Sequence, residues 1–180
     1  MEIQQEIKHR QSIRLKKYDY AQPGAYFVTV VSQKRMNIFG EIVNGEMHLN
    51  QAGKIVEQTW LEIPKHFPNI NVDIFIIMPN HIHGIIQIME NAHVGARHAS
   101  PLQKPQNGVK PQSIGAIIGS FKSAVTRQLH QTRIINQENI WQRNYYEHII
   151  RDEADTQQIA DYIETNPINW QYDHENIEHI

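Results

Sequence analysis

The sequence predicts an α+β domain built on a mainly antiparallel sheet flanked by helices. Short runs rich in β-branched and aromatic residues are interrupted by single amphipathic stretches, the pattern of strands covered by helices. Asn44-Gly45 and Pro79-Asn80 each break two such runs with almost no intervening chain, and links that short join antiparallel neighbours. With 180 residues, of which 40% are hydrophobic and 20% charged, the chain suits one core of ordinary domain size.

Taken in order, the first 17 residues are polar, with Lys8, Arg10, Arg14, Lys16 and Lys17 crowded into their second half; residues 1–20 are expected to form a basic arm. Ala25 to Ser32 (AYFVTVVS) follows Pro23-Gly24 and predicts a strand. Ile42-Val43, Asn44-Gly45 and Glu46 to Leu49 predict a hairpin. Asn50 can cap a helix from Gln51 to about Ile63, interrupted at Pro64. Val72 to Met78 reads as a buried strand, and His81 to Met89 resumes as a second one after the Pro79-Asn80 break. Residues 90–112 hold three prolines, two glycines and three large aliphatics, and are expected to be a long mobile loop. Ser113 can cap a helix to about Gln131, with Ile114, Ile117, Ile118, Phe121, Val125 and Leu129 on one stripe and Lys122 and Arg127 facing outward. Trp141 to Arg151 is dense in aromatic and polar groups, and a last helix runs from about Glu153 to Thr165 before Pro167. Residues 21–170 are thus expected to form a single domain, followed by an acidic tail over 171–180.

Composition removes several kinds of chemistry. The chain has no cysteine, which excludes disulfides, thiolate metal sites and cysteine nucleophiles, while its 11 histidines leave imidazole as the available metal ligand beside oxygen donors. No apolar run reaches the roughly 18 residues of a membrane span, and the polar start lacks the apolar middle of a secretion signal, so a cytoplasmic protein with no membrane partner is expected. Charge is unevenly placed. Residues 1–146 carry 16 Lys/Arg against 10 Asp/Glu, whereas residues 147–180 carry one Arg against nine acids. A basic body of this kind can meet a polyanion.

Two local patterns carry chemistry. In His81-Ile82-His83 the strand period of two puts both imidazoles on one face, where they can converge on a divalent ion. On the last helix Tyr162 and Asn166 lie four residues apart and share a face, with Gln158 one turn earlier. A phenol can attack a phosphodiester, and an amide oxygen can complete a metal's coordination. Each pattern also has a structural reading, as hydrogen-bonded histidines at a strand edge and as a rim tyrosine with a helix-end asparagine.

Three blocks in order, Met78-Pro-Asn-His-Ile-His-Gly84, Trp141-Gln-Arg-Asn-Tyr-Tyr-Glu-His-Ile-Ile-Arg151 and Asp161-Tyr-Ile-Glu-Thr-Asn-Pro167, closely resemble the REP-associated tyrosine transposases, and the resemblance runs from about Tyr26 to Trp170. These belong to the single-strand, one-tyrosine transposases named for a histidine-hydrophobic-histidine (HUH) motif. The resemblance implies a ferredoxin-like HUH fold and a DNA strand transferase acting on single-stranded or hairpin DNA with magnesium or manganese. It places His81 and His83 as metal ligands, Asn166 in the position of a third ligand that is glutamine in some relatives, and Tyr162 as the nucleophile. Arg10, Arg14, Lys16, Lys17, Lys122, Arg127, Arg143 and Arg151 are the candidate DNA-backbone contacts. Tyr145 and Tyr146, being adjacent, cannot share one face; with Trp141 they are assigned to packing or to stacking on unpaired bases. Relatives include monomers and dimers with exchanged tyrosine helices, so a homodimer stays open. Two further readings are a DNA-hairpin-binding protein that no longer cleaves, and an unrelated hydrolase using the histidines with Asp73 or Glu90 and water as nucleophile.

Overall fold

The computed structural model describes residues 18–90 and 110–176. Most of the basic arm, with Arg10, Arg14, Lys16 and Lys17, and nearly all of the 90–112 loop lie outside them. A four-stranded sheet organises the rest, in the order β4 (Ile70–Ile77), β5 (His81–Ile88), β1 (Gly24–Val31) and β6 (Tyr146–Ile150), with every pairing antiparallel. Leaving aside the side hairpin of β2 (Gly40–Val43) and β3 (Glu46–Leu49), this is the ferredoxin-like strand order that the resemblance implies.

The central strands are buried on both faces, because helices cover both. Tyr26, Val28 and Val30 of β1 and Ile82 and Ile86 of β5 join the main core beneath α1 (Gln51–Leu61) and α3 (Ile114–Gln131). Phe27 and Ile85, one residue out of phase, meet Ile163 of α4 (Glu153–Thr165) on the opposite face. Strand alternation therefore divides the protein into a packing face and a face on which α4 lies over paired imidazoles.

The helices begin where their caps stand. Asn50 Oδ1 accepts from Gly53 N (3.0 Å), Ser113 Oγ from Ala116 N (3.3 Å) and Asp152 Oδ1 from Asp155 N (2.8 Å), each satisfying an otherwise orphaned first-turn amide. The expected single helix to Ile63 is instead two. α1 stops at Leu61, and a one-turn α2 (Ile63–His66) restarts with Pro64 in its first turn, where proline's missing N–H is not needed.

The sequence reading leaves Trp141 to Arg151 without an element, and here the structure adds β6. The strand is hard to read because both its faces are partly covered and both carry polar groups. Tyr146 packs edge-on against Phe27 (centroids 6.2 Å apart), while Tyr145, its side chain joined to Glu147 Oε2 (2.8 Å), turns the other way. Among the described residues no helix is long and apolar enough to cross a membrane.

Gly84, directly after the second histidine, is set by packing. A Cβ there would lie 2.5 Å from Cζ2 of buried Trp60 and 3.0 Å from Phe75 Cβ. Gly84→Ala should therefore destabilise the fold by about 1–3 kcal/mol through overpacking. A thermal melt matching that of the unaltered chain would refute this.

Candidate active site and metal centre

His81 and His83 stand on β5 at consecutive positions of the α4 face, 0% and 2% exposed, with their Nε2 atoms 2.9 Å apart. Their backs are held by the neighbouring chain. Asn80 Nδ2 donates to the carbonyls of Arg35 (3.1 Å) and Glu175 (2.8 Å), which fixes the amide so that its Oδ1 faces His81 Nδ1 (2.8 Å). An amide oxygen only accepts, so His81 carries its proton on Nδ1 and presents a bare Nε2 to the site. Arg35, itself in the left-handed region (φ 55°), also binds the buried Glu175 carboxylate through Nε at 2.7 Å.

His83 Nδ1 faces Thr29 Oγ1, its cross-strand partner on β1, at 2.9 Å. When Nδ1 donates to that hydroxyl, both Nε2 lone pairs point at one place, which is the arrangement a divalent ion requires. Burial, reinforced by nearby His174, pushes the His81 pKa down to about 3, and burial with the adjacent His81 holds His83 well below its ordinary value. Both imidazoles are neutral at neutral pH.

These depressed values carry a stability consequence. Unfolded histidine takes up a proton near 6.5, whereas folded His81 resists it down to about 3, so acid favours the unfolded chain across that window. In chelator-treated protein the unfolding free energy should fall by roughly 1.4 kcal/mol for each pH unit of acidification within that window, for each imidazole held neutral. Urea titrations between neutrality and mild acid measure the slope, and His81→Gln should flatten it. An equal slope in the two proteins would disprove the assignment.

Tyr162 reaches this pair from α4. Its hydroxyl lies 3.2 Å from His83 Nε2, and its ring is tilted on His83 (centroids 5.0 Å apart) and edge-on to Phe27 (6.1 Å). The residue is 38% exposed, so the site is open to solvent on this side. Burial raises its pKa, and the Asp173 and Glu175 carboxylates push it further up, with the Asn166 amide acting in opposition.

Asn166 closes α4 one turn after Tyr162. It is 3% exposed, its Nδ2 donates to Asp173 Oδ2 (2.9 Å), and its Oδ1 has no hydrogen-bond partner among the described residues. A buried carbonyl oxygen without a donor, on a side chain bonded to the Asp173 carboxylate, suits a cation as neighbour. The residues present therefore fit a divalent ion.

Sequence reasoning missed Asp173. Its carboxylate and the ligand nitrogens of His81 and His83 all lie within 4.8 Å of one another. It falls in the expected acidic tail, but the chain turns back after α4 through a short 3-10 turn (Trp170–Tyr172), and Trp170 packs against His81 with centroids 5.9 Å apart. No periodicity in the sequence registers such a return.

The candidate cations are placed differently. Arg143 and Arg151 are exposed beside β6, and Arg127 is exposed on α3, on the sheet face away from the histidines. Lys122 corrects the expectation of an outward residue. It is half-buried, and its ammonium donates to the carbonyls of Gln142 (2.9 Å) and Asn144 (3.0 Å) and lies 5.9 Å from the Tyr145 ring centroid. Burial lowers its pKa to about 8. Asp73 lies at the surface joined to Gln87, apart from the histidine pair.

Relatives accord with this arrangement. A Haemophilus influenzae protein without assigned function is 46% identical over 172 residues, 93% of either chain. A second protein of that organism, provisionally named a REP-associated tyrosine transposase, is 30% identical over 155 residues, 86% of this chain and 76% of its own. The solved structure of a REP-associated tyrosine transposase bound to a REP hairpin superposes with a TM-score of 0.59 at 17% identity, covering 89% of this chain and 76% of the other, and so shares its fold. No protein-family model matches the chain. Fold and relatives together define a transposase. More narrowly, the chain belongs to the REP-associated tyrosine transposase family.

Proposed function

We propose that this chain is a metal-dependent single-strand DNA transposase that nicks and rejoins hairpin-bearing DNA through a 5′-phosphotyrosine intermediate. The observation that carries the reading is the Tyr162 hydroxyl 3.2 Å from His83 Nε2, at the mouth of a buried imidazole pair. The nucleophile and the ligand pair meet within one chain.

The residues divide the work. His81 and His83 would hold the ion through Nε2, oriented by Asn80 and Thr29, with Asn166 in the place the family gives its third ligand. A divalent ion, magnesium or manganese, would supply charge that polarises a non-bridging phosphate oxygen and stabilises the departing 3′-oxygen. Phe27 and His83 pack the Tyr162 ring so that its hydroxyl stays at the site's edge, which reduces the orientational cost of attack. The phenolic oxygen forms a bond to phosphorus, the bond from phosphorus to the 3′-oxygen breaks, and the phenolic proton is balanced by one taken up at the 3′-hydroxyl. Because the phosphotyrosine retains the phosphodiester's free energy, a second 3′-hydroxyl can reverse the step on another strand without ATP. With its pKa raised, the phenol is protonated at rest and must lose its proton as it attacks.

Arg143 and Arg151, exposed on the β6 side, are the proposed phosphate contacts together with the basic arm, while Arg127 stands apart from them on the opposite face and would meet a separate stretch of backbone. Incubation with labelled single-stranded hairpin DNA and manganese, followed by a denaturing gel, tests the function. A covalent protein–DNA complex is expected. Binding without any adduct would instead identify a hairpin-binding protein of the same fold, and strand cleavage without an adduct would point to water as nucleophile.

A further inference from the structure

We propose that Asp173 is a ligand of the metal site, so that the ion is held by two imidazoles and one carboxylate, with Asn166 orienting that carboxylate. The inference rests on the metal-dependent reading and adds a charged ligand to it.

The geometry favours the carboxylate over the amide alone. Asp173 lies with His81 and His83 in a group whose ligand atoms are all within 4.8 Å of one another, close enough for one ion to touch all three. Two neutral imidazoles and a neutral amide would offer a divalent cation no compensating charge in a site where both histidines are buried. Asp173 supplies one negative charge there.

The carboxylate is also held in place. Its Oδ1 accepts from Glu175 N at 2.7 Å and its Oδ2 from Asn166 Nδ2 at 2.9 Å, which leaves lone pairs on both oxygens for an ion. The segment carrying it is fastened on both sides. Asp173 N donates to the Trp170 carbonyl at 3.1 Å, Asn176 Nδ2 donates to the same carbonyl at 3.1 Å, Glu175 pairs with Arg35 at 2.7 Å, and Asn80 donates to the Glu175 carbonyl at 2.8 Å. The Asn80 amide that sets the His81 tautomer therefore also fixes the segment bearing the third ligand. Such shared outer contacts are how metal sites align ligands from distant parts of a chain.

The test measures metal binding to the full chain without DNA, by titrating Mn2+ and following the proton relaxation of water. The unaltered chain should bind Mn2+. Asp173→Asn should weaken binding by about 100-fold or more through loss of the charge, and Asn166→Ala by roughly 10-fold, as for a group that positions a ligand. At saturation, Asp173→Ala should raise the water-proton relaxation per bound ion, because water enters the vacated position; a merely structural role would not produce that rise. Asp173→Cys provides a gain of signal. The chain has no cysteine of its own, so Cd2+ binding with a thiolate-to-cadmium absorption band would locate the ion at this position. Mn2+ affinity of Asp173→Asn within twofold of the unaltered chain, with a folded far-ultraviolet spectrum and no cadmium–thiolate band in Asp173→Cys, would overturn the assignment while leaving the metal-dependent reading intact. Failure of the unaltered chain to bind Mn2+ would overturn both.

Discussion

The Tyr162→Phe protein should bind hairpin DNA as the unaltered chain does and form no covalent complex with it, a loss on the order of 10³-fold or more in adduct formation. The substitution removes one oxygen and little else. The ring keeps its packing against His83 and Phe27, so the fold and the α4 face should persist. The lost hydroxyl is the group 3.2 Å from His83 Nε2. Tyr145 and Tyr146 cannot replace it. Tyr145 is tied to Glu147 beside Lys122, and Tyr146 packs on Phe27 from the edge strand. Denaturing gels of the three Tyr→Phe proteins decide the matter. A persisting adduct in Tyr162→Phe together with its disappearance in either of the others would show that the wrong phenol has been chosen.

Trp60→Ala should destabilise the protein by about 4 kcal/mol, a large share of the roughly 5–15 kcal/mol that holds a typical domain together. Trp60 is fully buried at the meeting of α1, α3 and β5, edge-on to Phe121 (5.3 Å) and tilted on Phe75 (6.0 Å), and its ring lies against Gly84. Removing it opens a cavity directly behind the strand that bears the histidines. Trp60→Phe should behave differently. The indole Nε1 is buried without a hydrogen-bond partner among the described residues, so deleting it relieves an unsatisfied donor and offsets part of the lost packing. A loss of about 1.5 kcal/mol or less is expected. Chemical denaturation of both variants measures the contrast, and equal losses would show that the N–H carries no penalty.

Both residues bear on how far the sequence could be read. The strands around His81 and the helix around Tyr162 were legible because local periodicity and capping agree with tertiary packing there. The stripe from Ile114 to Leu129 is buried as its spacing predicts, and Asp152 starts the last helix. The His81–His83 pair was legible for the same reason, since a period of two dictates a shared face. β6 was not, because a short strand with polar groups on both sides shows no alternation. Lys122 looked solvent-facing by helical spacing, yet the 141–145 segment folds over it and takes its ammonium into a carbonyl pair. Asp173 was hidden most fully. Its place depends on a turn after Pro167 and on the Asn80 amide 93 positions earlier, which joins the Asp173 segment through the Glu175 carbonyl, and no local rule links them.

The late position of that turn affects how the protein is made. Every strand of the sheet and both imidazoles are translated before residue 151, and domains tend to fold in the order in which they emerge. β1, β4 and β5 can therefore pair while Tyr162, Asn166 and Asp173 have still to leave the ribosome. The strands that carry the imidazoles then take shape before the side chains proposed to complete the site, so a partial chain would hold a framework without the proposed nucleophile.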